Sequence, residues 1–220
     1  MSDRYDAGMP VESGLVAFTQ VPDGDHRGYN AWHQLDHLPE VHTVPGIVRG
    51  ERWVASPACR AAAPVAGDAY AAADYFTLYL LAAPTADALA GIGRLSKELD
   101  TARRTFSDRR SVYNGVLPVT ATAAAPRVGV RPAAVPFRPA TGVLVVVDDP
   151  GGEPPELTAI DGVAGAWAFA DADRRVTVAW LDDDPAAVAR RAAAVPGVAT
   201  ARHAAPYAAI VPGAWDWFDR

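Results

Sequence analysis

Three of the five histidines fall within one ten-residue stretch of the segment YNAWHQLDHLPEVHTVPG. These are His33, His37 and His42. Histidine titrates near neutral pH, so it can accept or donate a proton where most side chains cannot. Because His33 and His37 are four residues apart, they lie on one face of any helix formed here. The segment therefore predicts an acid–base pair, or one catalytic histidine and one that orients it. The alternative is that one of the two histidines is exposed and the other caps or packs.

Two carboxylates, Asp36 and Glu40, stand beside these histidines with the same spacing of four. A carboxylate next to an imidazole can hold its tautomer and raise its basicity, so Asp36 is a second candidate for tuning His37. A solvated acidic helix face is the alternative. His-x-x-x-His also occurs in zinc enzymes, but Gln34 stands where their signature requires glutamate. We therefore expect neither a metal nor another cofactor.

Aromatic residues of the same half could form walls that stack a planar substrate, although packing in the core is their alternative role. Arg52 could neutralise an anionic substrate or intermediate, with a surface ion pair as its more ordinary role. The residues predicted to bind the substrate are Tyr29, Trp32, Arg52, Trp53, Tyr79 and Tyr113.

Composition narrows the class of protein. Half of the 220 residues are apolar, which suffices for a sizeable core, and the net charge of -6 argues against nucleic acids and anionic membranes as partners. Cys59 is the single cysteine, so no internal disulfide can form and a reducing compartment is expected. No apolar run approaches the ~20 residues of a membrane span. We expect a cytoplasmic protein that acts on a small apolar molecule.

The order of structural signals in the first half is β-α-β-β-α-β, the ferredoxin-like unit. Alternating or continuous apolar residues predict the strands, and helix-type patterns bounded by proline or glycine predict the helices. The predicted strands are 14–19, 47–55, 75–81 and 111–117, and the predicted helices are 29–41 and 84–108. A loose Ala/Pro loop holds Cys59.

The second half repeats this order without the first helix. Gly14 and Gly46 are separated by 32 positions, whereas the corresponding Gly142 and Gly162 are separated by 20. The histidine cluster is lost with the helix, so the first half is expected to carry the chemistry. The predicted strands are 142–147, 163–170, 175–181 and one within 200–211, and the predicted helix is 186–194. The predicted units are 1–119 and 142–220, joined by an Ala/Pro-rich linker at 120–141.

The pattern of strand, helix with W-(H/Y)-x-x-x-H-x-P, Pro-Gly and strand resembles the dimeric α/β-barrel superfamily, most closely its EthD-like branch. The likeness covers 14–117 well and 142–213 through the order of elements. It implies an α+β fold in which two tandem ferredoxin-like units pack as a barrel within one chain, the second with a degenerate first helix. It also implies that His37 faces a pocket. The residues that carry it are Trp32, His33, Asp36, His37, Leu38, Pro39, Glu40, Pro45 and Gly46.

The resemblance implies several functions, because the superfamily holds cofactor-free oxygenases, isomerases, cyclases, dehydratases and haem enzymes. The leading hypothesis is a cofactor-free enzyme that dehydrates, cyclises or isomerises an apolar, aromatic or polyketide-like molecule through His37. The alternatives are an oxygenase without a cofactor, a haem-dependent oxygenase with His37 or His203 as ligand, and a non-catalytic binding protein. Pairing of the chain into a homodimer stays open.

Overall fold

The computed structural model describes residues 11–67 and 69–218, in which eight strands form one closed antiparallel barrel. The strands are β1 (Val11–Gln20), β2 (Ile47–Val54), β3 (Tyr75–Ala82), β4 (Arg110–Ala124), β5 (Gly142–Asp148), β6 (Val163–Ala170), β7 (Arg175–Leu181) and β8 (His203–Ala209). The α-helices are α1 (His26–Trp32), α2 (Leu38–His42), α3 (Pro57–Ala61), α4 (Thr85–Thr101) and α5 (Pro185–Ala192), and a π-helical turn (His33–His37) joins α1 to α2. Short 3-10 helices lie at Ala69–Ala72, Pro126–Val128 and Pro132–Phe137.

The order of the strands around the barrel is β1-β3-β2-β8-β5-β7-β6-β4. Each half therefore contributes four neighbouring strands in the same spatial order: fourth, first, third, second. The halves join where β4 pairs with β6 and where β2 pairs with β8. The expected α+β barrel within a single chain is confirmed. The division into two units with a linker stays a prediction.

The two faces of each strand have different surroundings, since side chains alternate along a strand. In β3, Phe76, Leu78 and Leu80 point into the barrel and belong to its apolar core. Tyr75 and Tyr79 point outward, where they pack under helices. Each fully buried large apolar side chain contributes about 1.5–3 kcal/mol to folding. The barrel interior is thus a packed core, and space for a ligand has to be sought on the outer face.

Helices cover the outer face of the first half. The continuous run formed by α1, the π-helical turn and α2, here called the histidine helix, lies on it beside α4. On the second half, residues 149–162, all of them described, contain no helix, and that outer face is covered by this loop and α5. This stretch therefore contains no counterpart of the histidine helix, and the description of the halves as tandem ferredoxin-like units stays a prediction.

Three local predictions were wrong. Cys59 lies buried in α3, which begins with Pro57 and is capped by the Ser56 side chain, rather than in a loose loop. The second helix of the first half, α4, ends at Thr101, earlier than predicted. Strand β4 continues to Ala124, beyond its predicted end at residue 117, because its end pairs with β6 to close the barrel. Among the described residues, no helix is both long and apolar enough to cross a membrane.

Candidate active site

The histidine helix changes its winding at the two central histidines. Asp25 caps its start by accepting a hydrogen bond from the N–H of Gly28, 2.8 Å away. Pro39 has no N–H, and its ring would crowd the carbonyl four residues earlier in a regular α-helix. The chain widens instead, and the Leu38 N–H donates to the carbonyl of His33, five residues back. Such π-helical turns are frequent at functional sites.

The two histidines remain on the same side of this widened turn. The ring centroids of His33 and His37 are 5.3 Å apart, with the rings edge to face. His33 is buried, and its Nε2 lies 3.4 Å from the Tyr79 hydroxyl. Trp32 stacks on the outer side of His37 at 4.7 Å. The predicted residues His33, His37 and Tyr79 are thus brought together, with Trp32 at the edge of the group.

A cavity of about 340 Å³ lies between the histidine helix and the sheet, and we call it the helix–sheet cavity. Its floor is the outer face of β1 and β3, where the small side chains Ala17, Thr19 and Thr77 leave room beneath the helix. A volume of this size is at the small end of the range for ligand sites. Its lining is Leu15, Ala17, Thr19, Tyr29, His33, His37, Val41, Thr77, Tyr79, Ile92, Leu95, Ser96, Arg109, Ser111 and Asn114.

Both histidines are neutral at pH 7. Burial lowers the pKa of His37 to about 4, and the nearby charges of Arg109 and Arg52 lower it further, against a smaller opposing effect of Asp36. Burial and then Arg52 hold the pKa of His33 well below its usual range. A neutral imidazole keeps one lone pair, so each ring can accept a proton or a hydrogen bond. The Nδ1 atoms of both rings have no hydrogen-bond partner among the described residues.

Arg52 is a buried cation near His33 and His37. Its guanidinium lies between the rings of Tyr29 and Tyr75, 4.6 and 4.7 Å from their centroids, and Nη2 donates to the side-chain oxygen of Asn30 at 2.5 Å. The Asn30 amide in turn donates to the Tyr75 hydroxyl at 2.8 Å. Nε and Nη1 of Arg52 have no hydrogen-bond partner among the described residues. Burial lowers its pKa.

Asp36 lies outside the helix–sheet cavity. Its carboxylate and that of Glu40 both accept hydrogen bonds from Arg104 at 2.7 Å on the solvent side of the helix. The residue directly before His37 points to another side of the helix, so the predicted direct contact between Asp36 and His37 is not formed. The carboxylate acts on His37 only through its charge, which raises the pKa of that histidine slightly against burial.

Trp53 and Tyr113 also lie outside the cavity, although the sequence predicted that they bind the substrate. Trp53 is buried inside the barrel and stacks on Phe76 at 5.7 Å. Tyr113 packs against the same core and lies 4.4 Å from the guanidinium of Arg174. Both residues occupy inward positions of their strands, and the assignment of faces is what the sequence pattern could not provide.

Several lining residues were missed in the sequence. Arg109 stands at the mouth of the helix–sheet cavity, with its guanidinium 4.6 Å from the Trp32 ring. Ser111 and Asn114 follow it on β4, which lies beside β1. The register of β4 shifts between its pairings with Phe18 and Thr19. The signal that could have found Arg109 is its position just before the fourth strand, but the pairing partner of that strand had to be known.

A second, larger opening of about 540 Å³ lies where β2 and β8 separate after only two paired residues each. We call it the open cleft. His42 borders it, but its Nε2 accepts a hydrogen bond from the Gly50 N–H at 3.0 Å, which gives the imidazole a structural role. Neither His33 nor His37 lines this cleft. The helix–sheet cavity is therefore the stronger candidate for chemistry.

The described residues contain no group of three or more histidine, cysteine, aspartate or glutamate side chains placed to hold a metal ion. The fold and site together define a barrel protein with one small cavity that holds two neutral histidines and a tyrosine hydroxyl, under positive charge.

Comparisons with known proteins agree with the fold. No protein-family model and no curated protein matches the sequence. Among solved structures, a chlorite dismutase-like protein superposes with a TM-score of 0.52 over 93% of this chain and 96% of its own. The sequence identity is 10%, so the likeness concerns the fold alone. The chain shares its barrel fold with that structure, and membership of the dimeric α/β-barrel superfamily and of its EthD-like branch stays a prediction.

Proposed function

We propose that the protein is an enzyme that binds a small, planar, largely apolar molecule in the helix–sheet cavity and moves a proton on it with His37. The observation that supports this most is the meeting of two neutral histidines and a tyrosine hydroxyl at a cavity whose other walls combine apolar side chains with hydroxyl and amide groups. Dehydration, cyclisation and isomerisation all need a positioned base or acid in a site that excludes water.

The environment of each group supports a separate role. His37 is only partly buried and borders the cavity, so it is the residue we propose as proton acceptor and donor. Burial raises the pKa of Tyr79, so its hydroxyl stays protonated and can donate a hydrogen bond to a substrate oxygen. His33 lies behind both groups and positions them through its contacts with the Tyr79 hydroxyl and the His37 ring.

The haem-dependent alternative has less support from the residues present. His203 lies inside the barrel beside a cavity of only about 80 Å³, next to the Tyr207 hydroxyl at 3.2 Å, which leaves no room for a macrocycle. His37 is a neutral imidazole, but its Nδ1 lacks the carboxylate or carbonyl partner among the described residues that usually orients a metal-bound histidine. We therefore derive no step through haem.

The first experiment combines native mass spectrometry with ultraviolet–visible absorbance of the protein as purified. We expect a retained apolar organic molecule and no haem band. Turnover of that molecule, or of planar analogues of it, is then compared between the wild type and His37→Gln. We expect a loss on the order of 10²–10⁴-fold, the usual share of acid–base catalysis.

The matched control is His42→Gln, which changes the same residue type on the same helix but outside the helix–sheet cavity. We expect its turnover to stay within a few-fold of the wild type. A carrier protein would instead bind the molecule without converting it, and His37→Gln would leave both observations unchanged. A haem absorbance band would contradict the proposal directly.

Homodimer formation and a cytoplasmic location also stay proposals, which light scattering and fractionation would test.

A further inference from the structure

The helix–sheet cavity has a one-sided charge. Its lining contains no aspartate or glutamate, and Arg109 is the one residue in it with a formal charge at neutral pH, among the residues that the structure describes. No described carboxylate forms an ion pair with Arg109, and its guanidinium lies over the ring of Trp32, 4.6 Å from the ring centroid. This is notable in a chain with a net charge of -6. Carboxylates are abundant in the chain as a whole, but none of them lines the helix–sheet cavity.

Arg52 adds a second positive charge from the far side of the Tyr29 ring, where the residue borders the open cleft and not the helix–sheet cavity. Only 2% of this residue is exposed, and no carboxylate within the described chain pairs with it. Burying a cation without a counter-ion costs several kcal/mol, and the faces of two tyrosine rings offset part of that cost. The charge of Arg52 acts on the cavity, because it lowers the pKa of both His33 and His37. Because no carboxylate neutralises this buried charge, an anion bound in the helix–sheet cavity would be attracted by it.

We propose that the natural ligand of the helix–sheet cavity is a planar organic anion, an aromatic or conjugated carboxylate or phenolate, whose oxyanion binds Arg109 at the mouth. The inference rests on the proposed function and names its substrate class. Arginine presents paired N–H donors that match a carboxylate. The flat part of the molecule then enters between the helix and the sheet, with Arg52 stabilising negative charge from behind Tyr29.

This arrangement also explains how a histidine of low basicity could work. An anion bound beside Arg109 cancels part of the positive field that acts on His37. The bound ligand therefore makes that imidazole a stronger base at the moment when proton transfer is needed. The free enzyme keeps both imidazoles uncharged.

The test uses 2-naphthoate and its neutral counterpart 2-naphthamide as probes, with binding followed by calorimetry at fixed salt. We expect the wild type to bind the carboxylate more tightly than the amide. Arg109→Gln should lose roughly ten- to hundredfold in affinity for the carboxylate, the usual effect of one charge-assisted hydrogen bond, and little for the amide. Arg109→Lys should recover part of the loss. Arg110→Gln is the matched control, because it removes the same charge one residue away and outside the cavity lining.

The outcomes separate the inference from the proposed function. Equal binding of both probes, unaffected by Arg109→Gln, would overturn the anionic substrate class and leave the cavity as a site for neutral molecules. Equal losses in Arg109→Gln and Arg110→Gln would also overturn it, since they would reflect the general surface charge. If the wild type binds neither probe, the helix–sheet cavity takes no planar aromatic molecule and the proposed function itself fails. Histidine NMR gives a second readout, in which bound 2-naphthoate should raise the pKa of His37 above about 4.

Discussion

The two halves of the barrel have the same strand order, but their outer faces carry different side chains. In the first half, the third strand presents Thr77 and Tyr79 to a cavity under the histidine helix. In the second half, the corresponding strand presents Thr177 and Ala179, and the cluster above it is entirely apolar. That cluster includes Leu157, which comes from the loop that replaces the missing helix.

A cavity of about 310 Å³ also lies on the outer face of the second half, so space alone does not distinguish the halves. Its lining includes Glu153 and Glu156 and no histidine or arginine. The first cavity is positive and carries titratable rings, whereas the second is acidic and carries none. The comparison teaches that the two halves share a strand order, whereas the histidine helix and the positive charge beside it occur on the first half alone among the described residues.

Two buried arginines give the sharpest version of this comparison. Arg175 in the second half pairs with Asp148 through Nε at 2.9 Å and Nη2 at 2.5 Å, and donates to the carbonyl of Glu153. Arg52 in the first half has no such partner. We expect Arg175→Met to destabilise the fold by about 3 kcal/mol or more, because it leaves Asp148 nearly buried and unpaired. We expect Arg52→Met to leave the free energy of unfolding unchanged or to raise it. Urea unfolding at pH 7.5 measures both.

The same Arg52→Met variant should bind 2-naphthoate less tightly than the wild type while keeping its affinity for 2-naphthamide. That combination, stable but weaker for the anion, is the signature of a charge kept for a ligand. A destabilisation comparable with that of Arg175→Met would show that Arg52 is a structural residue. The histidines would then be the remaining difference between the two outer faces, because both arginines would be structural.

A second prediction concerns the pH dependence of folding stability. The pKa of His37 is about 4 in the folded protein and about 6.5 in the unfolded chain. Above pH 6.5 neither state binds a proton there, so the residue has no effect. As the pH falls from 6.5 to 4 the unfolded chain takes up the proton first, and stability is lost by up to about 3 kcal/mol. His37→Gln removes this loss.

The measurement is the difference in unfolding free energy between His37→Gln and the wild type at pH 7.5, 6 and 5. Carboxylates titrate in both proteins and cancel in the difference. We expect the variant to gain stability relative to the wild type as the pH falls through this window. A constant difference would show that His37 is exposed enough to be protonated in the folded state, and the account of a neutral acid–base pair would fail.

Much of this organisation could be predicted from the sequence. The strands at 163–170 and 175–181 were predicted with the bounds that they have, because glycine or polar turns flank short apolar runs. The facing of His33 and His37 was also predicted correctly, since the π-helical turn keeps them on one side. The faces of β3 were correctly separated into two sets.

The rest could not be predicted, because it depends on which face becomes the interior. Both faces of the first-half strands carry aromatic residues, so Trp53 and Tyr113 were assigned to the substrate when they belong to the barrel core. Arg109 was missed because it reaches the cavity through the pairing of β4 with β1, a contact between residues nearly a hundred positions apart. The Arg104 partner of Asp36 is 68 positions away in the sequence, so this contact could not be predicted either.

The smallest predicted effect compares the two threonines at equivalent positions of the third strands. The Thr177 hydroxyl is buried and has no hydrogen-bond partner among the described residues. Thr177→Val should therefore raise the free energy of unfolding by about 1 kcal/mol, because it replaces a buried hydroxyl that forms no hydrogen bond with a methyl group of similar size. Thr77→Val, which borders the helix–sheet cavity, should change stability by less than about 0.5 kcal/mol and should alter the affinity for 2-naphthoate. Urea unfolding and calorimetry of both variants test this. If Thr177→Val also altered probe affinity, the second half would contribute to binding, and the assignment of chemistry to one outer face would be wrong.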